Sequence, residues 1–198
     1  MWPTISNYLY YPHRFGFGFC VILDYMTNLN ELKTNDVIIR FGQVYQVFKI
    51  EEKDGKNMIF YKKFFKNGPR AVSIFSIPQE SIEKTKIRKA LTKQEMDHLL
   101  GEGLKEAEVD LDASLNTIKA ILNTDDPAEV VKTLKLLAIL KHKNDKLPFS
   151  KKEIYGSLIK RLTSEVAYVY DTEQDGAQEI IEKALADYVK DIPKTVKK

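Results

Sequence analysis

The chain has 198 residues, of which 43% are hydrophobic and 30% are charged, and its formal net charge is +3. This length allows one large domain or two modest ones, each with a buried core. The single cysteine, Cys20, excludes an internal disulfide framework and a cysteine-rich zinc site, and it favours a reducing, cytoplasmic location.

Residues 1–31 are crowded with aromatic side chains and carry few charges. The apolar stretch Phe15 to Leu23 is too short to span a bilayer and lacks a small-residue cleavage pattern, so we expect neither a membrane anchor nor a signal peptide. We interpret residues 1–31 as an N-terminal extension. It is either the product of an early start codon ahead of Met26 or an accessory strand without a fold of its own.

Residues 32–78 alternate strand-like segments with tight turns. Segments rich in β-branched and aromatic residues predict four strands, at Val37 to Phe41, Val44 to Ile50, Met58 to Phe65 and Ala71 to Ile77. Residues that suit tight turns join them at Gly42-Gln43, Lys53 to Asn57 and Lys66 to Pro69. The pattern predicts a small β-barrel module of the SH3 or Tudor kind.

This β-module is basic. It contains nine Lys and Arg against four Asp and Glu, a local charge of +5, whereas residues 79–198 contain twenty-one against twenty-two. A basic excess on a small sheet favours a partner with an acidic surface, either nucleic acid or an acidic protein patch. A solvated face of lysines is the alternative.

The chain after Pro78 is predicted to be helical, which makes the fold class α+β. Helical periodicity and start signals predict helices that span Gln79 to Ala90, Thr92 to Leu104 and Leu111 to Leu122. Another helix is predicted to start at Asp125-Asp126-Pro127, and the next starts with a capping box at Ser150 to Glu153. The last is predicted at about Gln174 to Val189. The apolar stripes predict a domain of four to five packed helices at 79–190. Residues 191–198 form a basic tail.

No pattern in the sequence indicates catalysis. The three histidines, His13, His98 and His142, lack the spacing of metal ligands, and no glycine-rich loop precedes a helix in the way that phosphate binding requires. Adjacent carboxylates such as Asp125 and Asp126 are typical of helix capping. We therefore expect a protein that is not an enzyme and that uses no cofactor, metal or small-molecule substrate.

The order of these parts resembles one protein family. The basic module beginning at Lys33 to Ile38 and continuing with Gly42 to Val47 is similar to the RNA-polymerase-interacting domain of CarD-like transcription regulators and transcription-repair coupling factor. In the helical half, Asp126 to Val131 resembles the family's helix with an acidic start and a hydrophobic pair. The segments Ser150 to Glu153 and Ser164 to Ala167 resemble its serine-capped helix. The resemblance covers about residues 32–185.

The resemblance implies a bacterial transcription regulator that docks its β-module on the RNA polymerase β subunit and lays its helical domain on promoter DNA. In the family, an edge strand of the module and basic side chains make the polymerase contact. Ser76 stands where the family has a second arginine, so the resemblance implies that contact only if nearby Arg70 replaces it. The matching positions for polymerase binding are Lys53, Met58, Ile59, Phe60, Tyr61 and Arg70.

The same resemblance implies that DNA contact is weak. Family members place a tryptophan that wedges into the minor groove at the start of the second domain, but this chain has Glu108 to Asp112 there, and phosphates repel such an acidic stretch. Basic side chains of the helical domain can contact phosphates, which positions the protein on DNA without recognising the base sequence. The candidate DNA-binding residues are Lys151, Lys152, Lys160 and Arg161.

Two other functions are consistent with the sequence. The main alternative is a protein–protein adaptor whose Tudor-like module binds an acidic or extended partner and whose helices make no DNA contact. An RNA- or ribosome-binding role for the basic sheet comes third.

Overall fold

A computed structural model describes residues 32–65, 73–190 and 192 of the chain. Its fold is mixed α+β, as predicted, with an antiparallel sheet followed by helices. The N-terminal extension, the Lys66 to Pro69 turn and all but Ile192 of the basic tail lie outside the described residues. The strands are β1 (Val37–Arg40), β2 (Gln43–Lys53), β3 (Lys56–Lys63), β4 (Ile74–Pro78) and β5 (Arg88–Lys89).

Two-residue turns join the first three strands. Phe41 and Gly42 connect β1 to β2 with φ of 50° and 67°, and Asp54 and Gly55 connect β2 to β3 with φ of 53° and 73°. Positive φ at both central residues matches the right-handed twist of the flanking strands. The sequence predicted a turn in each place, but with different bounds. The first turn lies one residue earlier than the predicted Gly42-Gln43, because Gln43 already pairs in β2, and the second is shorter than the predicted Lys53 to Asn57, because Lys53 and Lys56 pair with each other.

The described sheet has the strand order β4-β3-β2-β1-β5, with β4 and β5 at its two edges. One hydrophobic core lies on one face of the sheet. It contains side chains from β1, β2, β3 and β4 and from the segments before β1 and after β4. The buried members are Leu32, Ile38, Tyr45, Val47, Ile59, Tyr61, Ile77, Ile82 and Ile87.

The helix predicted at Gln79 to Ala90 is wrong. This segment instead forms two short 3-10 turns and then the strand β5, which pairs with β1. Ile82 and Ile87 are 1% and 4% exposed in the core of the sheet. Burial of these two side chains ties the segment to the sheet, so the charged residues between them do not form a surface helix.

The helices are α1 (Lys93–Leu100), α2 (Glu102–Glu106), α3 (Leu115–Ala120), α4 (Pro127–Asn144), α5 (Phe149–Val169) and α6 (Gln174–Val189). The predicted capping box is confirmed at Thr92 and Glu95, and Asp126 caps α4 as expected. The single helix expected at Thr92 to Leu104 breaks at Gly101, whose φ and ψ are −97° and −98°. The capping box predicted at Ser150 does not form, because the N-cap of α5 is Pro148, two residues earlier, and the helix begins at Phe149.

The helices enclose a second core around α4 and α5. Leu134, Leu137, Leu158, Val166 and Ile181 have no exposed surface there. These residues belong to the apolar stripes read from the sequence. In the described part of the chain, no helix has both the length and the apolar character that crossing a membrane requires.

Candidate docking surfaces and the junction between them

The predicted docking strand, Met58 to Tyr61, lies within β3 and does not form an edge. It pairs with β2 on one side and with β4 on the other, where Met58 opposes Pro78 and Phe60 opposes Ser76. The expectation that this strand offers a free edge is therefore wrong, because β4 occupies the pairing groups of β3 on that side. On this side of the described sheet the edge strand is β4.

Alternate residues of β3 point to opposite faces of the sheet, which divides the predicted contact residues. Ile59 and Tyr61 are buried in the core, at 0% and 1% exposed, and cannot contact a partner without unfolding. Met58 and Phe60 lie on the other face and are partly exposed. The structure thus brings only half of the predicted strand residues to the surface.

Phe60 belongs to an aromatic and basic cluster on that outer face. Its ring lies 6.4 Å from the ring of Phe48, which stands at a β-bulge in β2. The Nζ of Lys49 lies 5.7 Å from the centroid of Phe60, and the Nζ of Lys62 lies 5.6 Å from that of Phe48. These cation–π contacts hold both ammonium groups over apolar surface, and Lys49 also forms an ion pair with Glu51. We call Phe48, Lys49, Phe60 and Lys62, together with Ile74 beside them, the outer sheet face.

The outer sheet face continues to the β4 edge. Ile74 opposes Lys62 across the β3–β4 pair, and its side chain is 61% exposed. Lys53 is also exposed and lies at the end of β2, at the hairpin turn. Arg70 lies outside the described residues.

The four predicted DNA-binding residues are on α5 but differ in accessibility. Lys152 and Lys160 are exposed, and Lys151 is half-buried. Arg161 is held inside the protein: its Nη1 donates to the carbonyl oxygen of Leu122 at 2.7 Å, and its Nη2 lies 3.5 Å from Oδ1 of Asp125. A guanidinium committed in this way is not available to phosphates.

Asp125 joins the sheet to the helices. Its carboxylate accepts hydrogen bonds from the backbone amides of Phe41, at 2.6 Å, and Gly42, at 3.0 Å, so it binds the turn between β1 and β2. The sequence suggested a capping role for Asp125, but Asp126 alone caps α4, by accepting from Ala128. No signal in the sequence connects Asp125 to a turn more than eighty residues earlier.

A buried ion pair forms the second part of this junction. The guanidinium of Arg88, in β5, donates to both carboxylate oxygens of Glu165, in α5, at 2.6 and 2.5 Å. Their side chains are 14% and 2% exposed. Burial by itself lowers the pKa of Arg88, but the charge and hydrogen bonds of Glu165 outweigh it and raise the pKa above its ordinary value. Glu165 also accepts from the backbone amide of Leu91 at 2.9 Å.

The backbone of the β1–β2 turn packs directly on α5. A Cβ placed at Gly42 would lie 2.6 Å from the Cβ of Arg161 and 3.0 Å from its Cα. Glycine is therefore required at this position both for its positive φ and for the close approach of the helix. We call the set Gly42, Arg88, Asp125, Arg161 and Glu165 the junction. It fixes the sheet and the helical part relative to each other.

A recess of about 350 Å³ lies beside the junction, between the end of β3 and the end of α5. Its wall includes Phe64 and Tyr168, whose rings meet edge to face at 5.0 Å. Nearby, Tyr170 donates a hydrogen bond to Asp97, and burial together with that bond raises the pKa of Tyr170 to about 12. Tyr170 thus stays protonated at pH values above 10, where an ordinary tyrosine ionises.

The described residues contain no cluster of histidine, cysteine or acidic side chains that is able to hold a metal ion. Comparison of the sequence with models of known protein families gave no match, and comparison with curated proteins gave none either.

Proposed function

We propose that this chain is a transcription regulator that binds the β subunit of RNA polymerase and touches promoter DNA weakly. The same proposal has three further parts. The sheet is an SH3- or Tudor-like module, the chain is a member of the CarD-like family, and the protein is cytoplasmic. The observation that carries it is the outer sheet face, where basic and aromatic side chains adjoin β4, an edge strand of the described sheet.

This surface suits a protein partner. An edge strand is able to pair its outward main-chain groups with a strand of another protein, and β4 has this position in the described sheet. Ile74 offers apolar area next to that edge, while Lys53 and Lys62 attract an acidic partner over longer range. In this proposal the contact moves from β3, as first predicted, to β4 and the outer side chains of β3.

The junction supports the second half of the proposal. Because Asp125 and Glu165 hold the sheet and α5 in one arrangement, a polymerase bound at the outer sheet face also fixes the direction in which α5 faces. Fixed placement lets weak phosphate contacts by Lys152 and Lys160 contribute, since docking already supplies a high effective concentration of DNA.

The adaptor alternative shares the docking surface but has no DNA contact. The exposed acidic segment around Asp110 and Asp112 favours it, because this surface of the helical part repels phosphates.

A pulldown titration with purified RNA polymerase β subunit tests the proposal. Lys53→Glu combined with Lys62→Glu reverses charge on the docking surface, and we expect at least several-fold weaker binding with an unchanged circular dichroism spectrum. Lys119→Glu combined with Lys183→Glu makes the same charge change on exposed helical positions and serves as the control. Equal binding by both double variants would reject the outer sheet face as the contact.

A further inference from the structure

One side of α5 is exposed over three turns. Phe149, Lys152, Gly156 and Lys160 are spaced by three, four and four residues, so they fall on the same side of the helix. All four are exposed, and Phe149, at 76%, is the most exposed large hydrophobic side chain among the described residues. One exposed carboxylate, Glu153, lies on the same side, so the net charge there comes from two lysines against one acid. We call these four residues the α5 face.

The fold gives no reason for a glycine at position 156. Glycine in an exposed helix interior costs about 1 kcal/mol relative to alanine. A Cβ built at Gly156 meets no atom within 4 Å, whereas one at Gly101 would lie 2.9 Å from the carbonyl oxygen of Asp97. The missing side chain leaves an open notch between Lys152 and Lys160.

The connection between α4 and α5 adds positive charge to this end of the helix. Residues 141–153 contain five lysines against Asp145 and Glu153. The Nζ of Lys141 lies 5.5 Å from the ring centroid of Tyr155, which holds the end of α4 against the beginning of α5. A lysine surface that only contacts water needs no exposed phenylalanine. A surface that binds an anionic partner with apolar parts uses both lysine and phenylalanine side chains.

We propose that the α5 face is the surface that contacts duplex DNA. Lys152 and Lys160 bind phosphates about 12 Å apart, from the helix rise of 1.5 Å per residue. The notch at Gly156 admits the sugar-phosphate backbone between them, and Phe149 makes the apolar contact at the end of the helix, as side chains that wedge into the minor groove do. This inference rests on the DNA half of the proposed function and assigns Phe149 and Gly156 to it.

Fluorescence anisotropy with a labelled duplex of random sequence, titrated across a salt series, tests the phosphate contacts. Each phosphate contact contributes roughly −0.9 to the slope of log affinity against log salt. We therefore expect Lys152→Ala combined with Lys160→Ala to flatten the slope by about two units. Lys119→Ala combined with Lys183→Ala removes the same charge elsewhere and should leave the slope nearly unchanged.

Two neutral substitutions test the apolar contact and the notch. Phe149→Ala should weaken binding about fivefold at every salt concentration, the lower end of what an aromatic contact to a base contributes, with an unchanged slope. Phe41→Ala removes another exposed phenylalanine, 54% exposed, and is the control. Gly156→Gln should weaken binding several-fold while raising the melting temperature, since glutamine is the better helix former. A merely structural role for Gly156 would not produce these opposite changes.

The outcomes separate this inference from the function it rests on. If the unaltered chain binds DNA and all α5-face variants behave like their controls, the surface assignment is overturned while DNA binding stands. If the unaltered chain binds no DNA at low salt, the DNA half of the function and this inference fail together. Binding to anionic lipid vesicles in place of DNA also overturns the inference.

Discussion

Substitution of Gly42 tests how tightly the sheet and α5 are joined. In Gly42→Ala, the alanine must adopt a φ of 67° and its Cβ would lie 2.6 Å from the Cβ of Arg161. The left-handed conformation costs about 1–2 kcal/mol, and overpacking a rigid contact costs about 1–3 kcal/mol more. We therefore expect the free energy of unfolding of Gly42→Ala to be about 2–5 kcal/mol lower than that of the unaltered chain.

Gly55 provides a matched control for the backbone term. It has a φ of 73° in the equivalent position of the next hairpin, and an added Cβ there meets nothing within 4 Å. Gly55→Ala therefore carries the conformational cost without the contact with α5. Urea denaturation of both variants, followed by circular dichroism, measures the difference. Equal losses of stability in Gly42→Ala and Gly55→Ala would refute the close packing of the β1–β2 turn against Arg161.

Two further predictions concern charged and titratable groups. Glu165→Gln leaves the buried Arg88 without its counter-charge and should destabilise the fold by about 3 kcal/mol in urea denaturation. Glu102→Gln breaks an exposed pair with Lys105 and should leave the stability nearly unchanged, because solvent screens that pair. Similar losses of stability in the two variants would contradict the role given to Glu165. Because folding raises the pKa of Tyr170 from 10.0 to about 12, the protonated phenol stabilises the fold fully below pH 10, and this contribution disappears as pH rises through 12. The free energy of unfolding should then fall less steeply between pH 10 and 12 in Tyr170→Phe than in the unaltered chain. Parallel curves would show that folding does not raise the pKa of Tyr170.

Local signals were sufficient to predict many elements. The Asp54-Gly55 turn, the Thr92 capping box and the bounds of α6 depend on residues close together in sequence, so propensity and capping chemistry identified them. The β5 segment was missed because its strand pairing depends on burial of Ile82 and Ile87 against a distant sheet, which no local pattern reveals.

The candidate surfaces were predictable only in part. Alternation along β3 indicates that Phe60 and Ile59 face opposite ways, but not which strand covers the edge. Arg161 looked like a surface cation because its partners, Asp125 and the carbonyl of Leu122, are contributed by a loop about forty residues earlier. The sequence identifies charged side chains, while tertiary packing decides which of them are free to bind a partner.

Photo-crosslinking from the β4 edge tests the central claim most directly. A photoreactive amino acid at Ile74, which is 61% exposed, would sit at the proposed contact, and one at Leu111, which is 38% exposed, would sit on the helical part as a control. With assembled RNA polymerase, our account predicts a crosslink from position 74 to the β subunit and none from position 111. A β-subunit crosslink from position 111 alone, or none from position 74, would contradict polymerase docking through the outer sheet face.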